Sequence, residues 1–271
     1  MYKFKTFNNI AKDGLSILSN HKFNEVIDNP DGLLIRSHKL VNEDFGENLL
    51  CIARAGVGTN NIPIEDATKK GIVVFNTPGA NANAVKELVI CGMLLCSRGI
   101  IQGINFAKNL DLDDADALNK AMEAQKKTFS GNELAGKTLG IVGLGAIGSM
   151  LAQAAKTLEM DLVGYDPHIS IEAAWRLPRE VEKAETMEAL LKQADYVSLH
   201  VPLVEQTKNL INASNLNNFK KGAKLINLSR GGIVNTNDVI DGLENGNLGK
   251  FVTDFPTPEL VKRSVKKNDV V

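Results

Sequence analysis

The sequence is short of the features that mark membrane, secreted or nucleic-acid-binding chains. It has no charge bias: 31 Lys and Arg stand against 32 Asp and Glu, a net charge of −1 over 271 residues. No basic face for nucleic acid or an anionic lipid surface is therefore expected. No stretch approaches the length of uninterrupted apolar chain that a membrane span needs. The opening MYKFKTFNNIAKDGLSIL lacks the apolar core of a signal peptide. Only three cysteines occur, Cys51, Cys91 and Cys96, an odd number without C-x-x-C. Each lies in an apolar run, where a free thiol behaves as a small hydrophobe, so buried thiols in a reducing cytoplasm are expected rather than disulfides. No His, Cys and Asp cluster has metal-ligand spacing, and no metal is expected. There is neither an internal repeat nor a low-complexity segment. The 44% hydrophobic and 23% charged fractions are those of an ordinary soluble globule long enough for two domains.

What the chain does have is G-x-G-x-x-G at Gly143, Gly145 and Gly148, with Ala146 and Ile147 inside it. The spacing alone is weak, because 23 glycines produce it by chance. Its context is specific: an apolar run (139–142) leads in, a helical stretch leads out, and Asp166 ends the next apolar run (162–165). Gly143 permits a tight turn, Gly145 lets the backbone approach a pyrophosphate, and Gly148 lets helix and strand pack closely. The helix that follows offers free N–H groups and the positive end of its dipole to phosphate. Asp166 would accept from the adenosine ribose hydroxyls and repel a 2′-phosphate, which selects NAD over NADP.

Short apolar runs alternate with helical stretches along the chain, which points to an α/β fold of parallel sheets flanked by helices. Strands are expected at 2–7, 33–36, 50–54 and 72–76, and helices at 11–18 and 63–70, with Pro63 in the first turn. After Asn76-Thr-Pro-Gly79 comes a stretch, 85–98, that is apolar nearly all round and is expected to be buried between domains or subunits. An acidic segment at 111–116 is expected to begin an exposed helix. Further strands are expected at 139–142, 162–165, 197–200, 224–228 and 251–253. Helices are expected at 147–158, 185–192 and 238–245, the last ending at Gly246. The boundaries are a substrate-binding domain at 1–80 and a dinucleotide-binding domain at 81–271.

Four more segments, RAGVGTNNI (54–62), NTPGANANAVKEL (76–88), HVPLVEQTKNLI (200–211) and NLSRGGIVNTNDVIDGL (227–243), are followed by VTDFPTPE (252–259). Together with the glycine loop, and in this order, they resemble the D-isomer-specific 2-hydroxyacid dehydrogenases over essentially the whole chain. The resemblance implies a Rossmann-type NAD-binding domain, a smaller flavodoxin-like α/β substrate domain and a small-molecule substrate, and the apolar 85–98 stretch adds the expectation of a homodimer or higher homo-oligomer. It implies that Arg230 grips the substrate carboxylate and polarises its C2 oxygen, a task suited to a fixed, always-charged fork. It implies that Glu259 holds and charges a catalytic histidine. Asp254 would contact the nicotinamide carboxamide, with Leu228 and Ser229 lining the same pocket. His200, Pro202 and Thr207 would lie beside the adenosine half of NAD. Arg36, with Ser37, would bind a substrate phosphate, Asn81 would touch substrate, and the N–H groups of Ala55 and Gly56 would hold its carboxylate. Taken alone, Arg230 reads equally as a solvated loop residue and Glu259 as an exposed acid, and the alternative for Arg36 is an ordinary surface arginine.

The family's acid/base histidine sits in a T-P-H-x-G segment beyond the glutamate, and no such segment occurs before Val271. His21, His38 and His168 are expected to have no catalytic role. Little dehydrogenase activity is expected of these 271 residues alone. A fragment is favoured over a natural truncation, because a shortened first domain would expose core surface. A non-catalytic NAD-binding regulatory protein stays open beside the enzyme.

Overall fold

The computed structural model describes residues 1–111 and 113–271. It divides into two units, Met1–Asn81 and Ala82–Val271. The first holds β1 (Lys3–Thr6), α1 (Lys12–Ser16), β2 (Lys22–Asn24), β3 (Gly32–Ile35), β4 (Cys51–Arg54), α2 (Ile64–Lys69) and β5 (Val73–Phe75). Its strands pair in parallel in the order β2-β1-β3-β4-β5, the flavodoxin-like winding. β3 and β4 carry the core, with Leu33, Ile35 and Ile52 packed against Leu40, Phe45 and Ala67. Pro63 is the residue before α2 rather than its first.

The second unit opens with α3 (Ala82–Ser97), α4 (Ile100–Lys108) and α5 (Ala115–Gln125). It continues through β6 (Thr138–Val142), α6 (Ala146–Thr157), β7 (Asp161–Tyr165), α7 (Ile171–Trp175), β8 (Val181–Lys183), α8 (Met187–Gln193) and β9 (Tyr196–Leu199). It ends with α9 (Ala213–Leu216), β10 (Ala223–Asn227), α10 (Thr236–Glu244), β11 (Leu248–Thr253) and α11 (Pro258–Lys267). The parallel sheet runs β11-β10-β9-β6-β7-β8, so strand order reverses between β6 and β9. Numbered from β6 this is the doubly wound dinucleotide order, in which ligands bind beyond the carboxyl ends of the strands at the reversal. All four residues of β9 are buried, as a strand covered by helices on both faces requires.

Two expectations are corrected. The apolar 85–98 stretch is not buried all round: Val89, Met93 and Cys96 enter the core, while Leu88 (45%) and Leu94 (42%) are exposed. Nor are the thiols uniformly buried. Cys96 is, and burial pushes its thiol up to about 11. Burial, helped by Asp31, also raises Cys51, but Cys91 lies on the exposed side of α3. The helix expected from the 111–116 acids is α5, capped by Asp114, whose carboxylate accepts from Ala117 N–H; position 112 of that stretch lies outside the described residues. Among the described residues, no helix is long and apolar enough to cross a membrane.

Candidate functional site: a glycine loop, an arginine turn and an anion-facing edge

The turn after β6 lies where the strand order reverses. Gly143 has φ +93°, and a Cβ there would stand 2.7 Å from the His200 carbonyl oxygen. A Cβ on Gly148 would stand 2.1 Å from the Gly143 carbonyl oxygen, so any larger residue pries the helix off the turn. A Cβ on Gly145 would meet nothing within 4 Å: this is the open side, where a pyrophosphate can approach. The N–H groups of Gly145, Ala146 and Ile147 find no acceptor among the described residues, and the start of α6 adds its dipole. Asp166, directly after β7, accepts from Leu144 N–H through Oδ2 (2.8 Å) and from His168 N–H through Oδ1 (2.9 Å). Each oxygen keeps a lone pair for a ribose hydroxyl. An uncrowded Gly145, free N–H groups and a half-buried carboxylate fit a dinucleotide.

His200 follows β9, and its N–H donates to Val142 O (2.7 Å), joining the ends of β9 and β6. Its Nε2 lies 2.9 Å from Ser198 Oγ, and its buried Nδ1 has no partner among the described residues. Burial lowers its pKa to about 4, so the ring is neutral at pH 7 and cannot serve as the acid. Pro202 is exposed. Thr207 works within its own turn, accepting from Val204 N–H (2.9 Å) and donating to Pro202 O.

β10 ends in a second turn. The Leu228 side chain is buried in the core with Ile226 and Val252. Ser229 Oγ donates to Leu199 O (2.6 Å), tying the ends of β10 and β9. Arg230 is exposed, and among the described residues its guanidinium makes only an Nη1 bond to Ser229 O (2.6 Å). Sequence reasoning missed Asn227. It is 2% exposed, accepts from Ser229 N–H (3.2 Å) and donates through Nδ2 to Arg230 O (2.8 Å), so it sets the Arg230 turn. Its signal was an Asn closing a strand before Ser-Arg-Gly-Gly, an Asx turn.

Asp254 is exposed just past β11. Glu259 is exposed in the first turn of α11, whose cap is Thr257, with Pro258 at the start. Its own backbone N–H, then the Thr257 hydroxyl, hold its carboxyl below the usual range. It contacts no histidine among the described residues.

In the first unit, Arg36 and Ser37 follow β3 at that sheet's own reversal, between β1 and β3. Asn8, just beyond β1, accepts from the N–H groups of Ser37 (3.0 Å) and His38 (2.8 Å). The Arg36 guanidinium is exposed and makes no bond among the described residues; only its backbone oxygen is used. Ala55 and Gly56 require correction as carboxylate holders. Ala55 N–H donates to Ile35 O (2.8 Å), and Gly56 N–H to Thr77 Oγ1 (2.8 Å). The N–H groups of Val57 and Gly58, next along the chain, find no acceptor among the described residues. Asn81 is exposed, one residue before α3.

A glycine-loop crevice at a sheet reversal, with a carboxylate after the second strand, defines a dinucleotide-binding α/β protein. The chain belongs to the D-isomer specific 2-hydroxyacid dehydrogenase family: residues 100–270 match that family's NAD binding domain, and NAD is the cofactor. It is 38% identical to a D-3-phosphoglycerate dehydrogenase of Methanocaldococcus jannaschii over 88% of this chain and 43% of the relative. It is 35% identical to a hydroxypyruvate reductase of Thermotoga maritima over 96% of this chain and 83% of the relative. The chain thus spans under half the length of the first of these and most of the second. Among solved structures it resembles an NAD+-bound 3-phosphoglycerate dehydrogenase of Entamoeba histolytica, with TM-score 0.73 and 26% identity over 99% of this chain and 85% of the other.

Proposed function

We propose that this protein oxidises D-3-phosphoglycerate to 3-phosphohydroxypyruvate, a step in serine biosynthesis, with NAD as hydride acceptor. The observation that carries the substrate is Arg36: a free guanidinium at the reversal of the first sheet, one strand from the open N–H groups of Val57 and Gly58. That set suits a molecule with a phosphate at one end and a carboxylate at the other. Arg230 grips the carboxylate and polarises the C2 oxygen, with Asn227 holding its turn. Bound NAD supplies the site that takes the hydride from C2. Gly145, Ala146 and Ile147 hold the pyrophosphate, Asp166 the adenosine ribose, His200 and Pro202 flank the adenosine, and Asp254 turns the nicotinamide. Glu259, held ionised, is ready to orient an imidazolium. Asn81 adds a polar contact to substrate.

The hydroxyl proton needs a base, and none of the four histidines fits. His200 is neutral with its ring enclosed, His168 is beside Asp166, His21 lies edge-on to Phe4, and His38 stacks on Phe7. Residues 1–271 alone are therefore a binding-competent, nearly inactive enzyme. The exposed Leu88 and Leu94, with Ile100 and Ile104 on α4, supply a homodimer face. Free thiols at Cys51, Cys91 and Cys96 fit a cytoplasmic setting.

The second reading, a glyoxylate or hydroxypyruvate reductase, is favoured by the Thermotoga relative, which aligns over 83% of its own length. Calorimetry in saturating NADH separates the two. Arg36→Ala should weaken 3-phosphohydroxypyruvate at least about tenfold, the loss of a charge-assisted contact, and leave glyoxylate unchanged. Equal loss on both removes the phosphate argument, and measurable NADH turnover by residues 1–271 removes the inactivity.

A further inference from the structure

The contacts of Asp166 do more than face a ribose. β6 and β7 pair in parallel as far as Val142 and Tyr165, and there the ladder ends. Three further contacts stitch the glycine turn to the end of β7. Gly143 N–H donates to Tyr165 O (2.9 Å), and Leu144 N–H donates to Asp166 Oδ2 (2.8 Å). The Leu144 side chain fills the space above Gly164, where a Cβ would stand 2.9 Å from its Cδ1. Leu144 is 6% exposed, so its N–H has no ready access to water. The other carboxylate oxygen holds His168 N–H at 2.9 Å, which fixes the plane of the group.

We propose that Asp166 is a positioning residue for the pyrophosphate turn: its carboxylate replaces the missing rung of the ladder and sets the direction of the Gly145, Ala146 and Ile147 N–H groups. This rests on the reading of 143–148 as the cofactor loop. Only a carboxylate presents acceptors to both N–H groups at once. An amide offers one acceptor and turns its NH2 against the other donor. A small apolar residue leaves Leu144 N–H buried and unpaired, and the turn must shift to satisfy it. Selection of NAD over NADP is thereby tied to loop order. A substitution that removes the acid to admit a 2′-phosphate also loosens the grip on the pyrophosphate that both cofactors share.

The test uses the cofactor-free protein labelled with 15N-leucine. Exchange of the Leu144 amide is followed in the parent, Asp166→Asn and Asp166→Ala, with the leucine amides of β9 and β10 as internal controls. Exchange at Leu144 should be at least about tenfold faster in the Ala variant and intermediate in the Asn variant, with the controls unchanged. Reduced nicotinamide mononucleotide, which has no adenosine ribose, should bind the Ala variant severalfold more weakly than the parent. Parent-like protection at Leu144 in both variants, with only NADH binding weakened, would assign Asp166 to the ribose alone and overturn the proposal. If the Ala variant fails to fold, the Asn variant decides by the same two outcomes. Failure of the parent to bind NADH would instead remove the loop reading on which the proposal rests.

Discussion

At position 200 a neutral imidazole is enclosed where β9 and β6 end, and its charge state links the site to acid stability. Burial lowers its pKa from 6.5 to about 4, so between these values the unfolded chain takes up a proton that the folded chain refuses. Stability is full above about pH 6.5. It falls by up to about 1.4 kcal/mol per pH unit as pH drops towards 4, about 3 kcal/mol in all. Urea unfolding at pH 7.5, 6 and 5 should show this slope in the parent and a flatter one in His200→Gln; parallel slopes would remove the assignment. At this scale the glycine loop was legible, because Gly143 and Gly148 meet backbone demands that only glycine satisfies. Which N–H groups of the turn after β4 stay open was not legible to the residue. Which of Ala55, Gly56, Val57 and Gly58 stay free depends on the register with β3 and on the Thr77 hydroxyl, neither of which leaves a local mark.

The last helix, α11, is held in place by Leu260, buried in the core, and by a largely enclosed arginine. Arg263 grips Asp269 through Nε (3.0 and 3.2 Å) and Nη2 (2.7 Å), and Glu244 of α10 through Nη1 (3.0 Å). The Arg263 side chain is 9% exposed. Beyond it Val271 N–H donates to Phe251 O (2.9 Å), laying the chain along β11. Arg263→Ala should cost about 1–3 kcal/mol, since Asp269 is left part-buried and uncompensated. Chemical denaturation checks this, and a change below about 0.5 kcal/mol would refute it. The helix itself escaped the sequence reading, although Thr257 and Pro258 form a regular start signal, because those residues also belong to the D-F-P-T-P-E motif. β2 and β8 escaped because three-residue edge strands carry too little pattern. The all-apolar stretch gave the right helix and the wrong burial, since periodicity cannot distinguish a buried face from one left for a partner.

Among the described residues, each unit carries a core of its own. Residues 82–271 should therefore fold alone, bind NADH within about threefold of the full chain, and show the dimer proposed through α3 and α4. Calorimetry and sedimentation velocity on that piece check both points. A monomer would locate the dimer contact elsewhere, and loss of NADH binding would mean the first unit is needed to shape the loop. The α/β alternation was legible because central parallel strands are continuous apolar runs. The order of strands was not, since pairing partners are chosen by packing rather than by neighbouring sequence.

The only tryptophan, Trp175 at the end of α7, is 85% exposed, whereas Tyr196 is fully buried. Its indole already sits in water in the native state, so its emission should hardly change colour when the protein denatures. An optical melt read at that fluorophore would report a featureless trace for a chain that is in fact losing its structure. The transition belongs to the tyrosine signal and to circular dichroism.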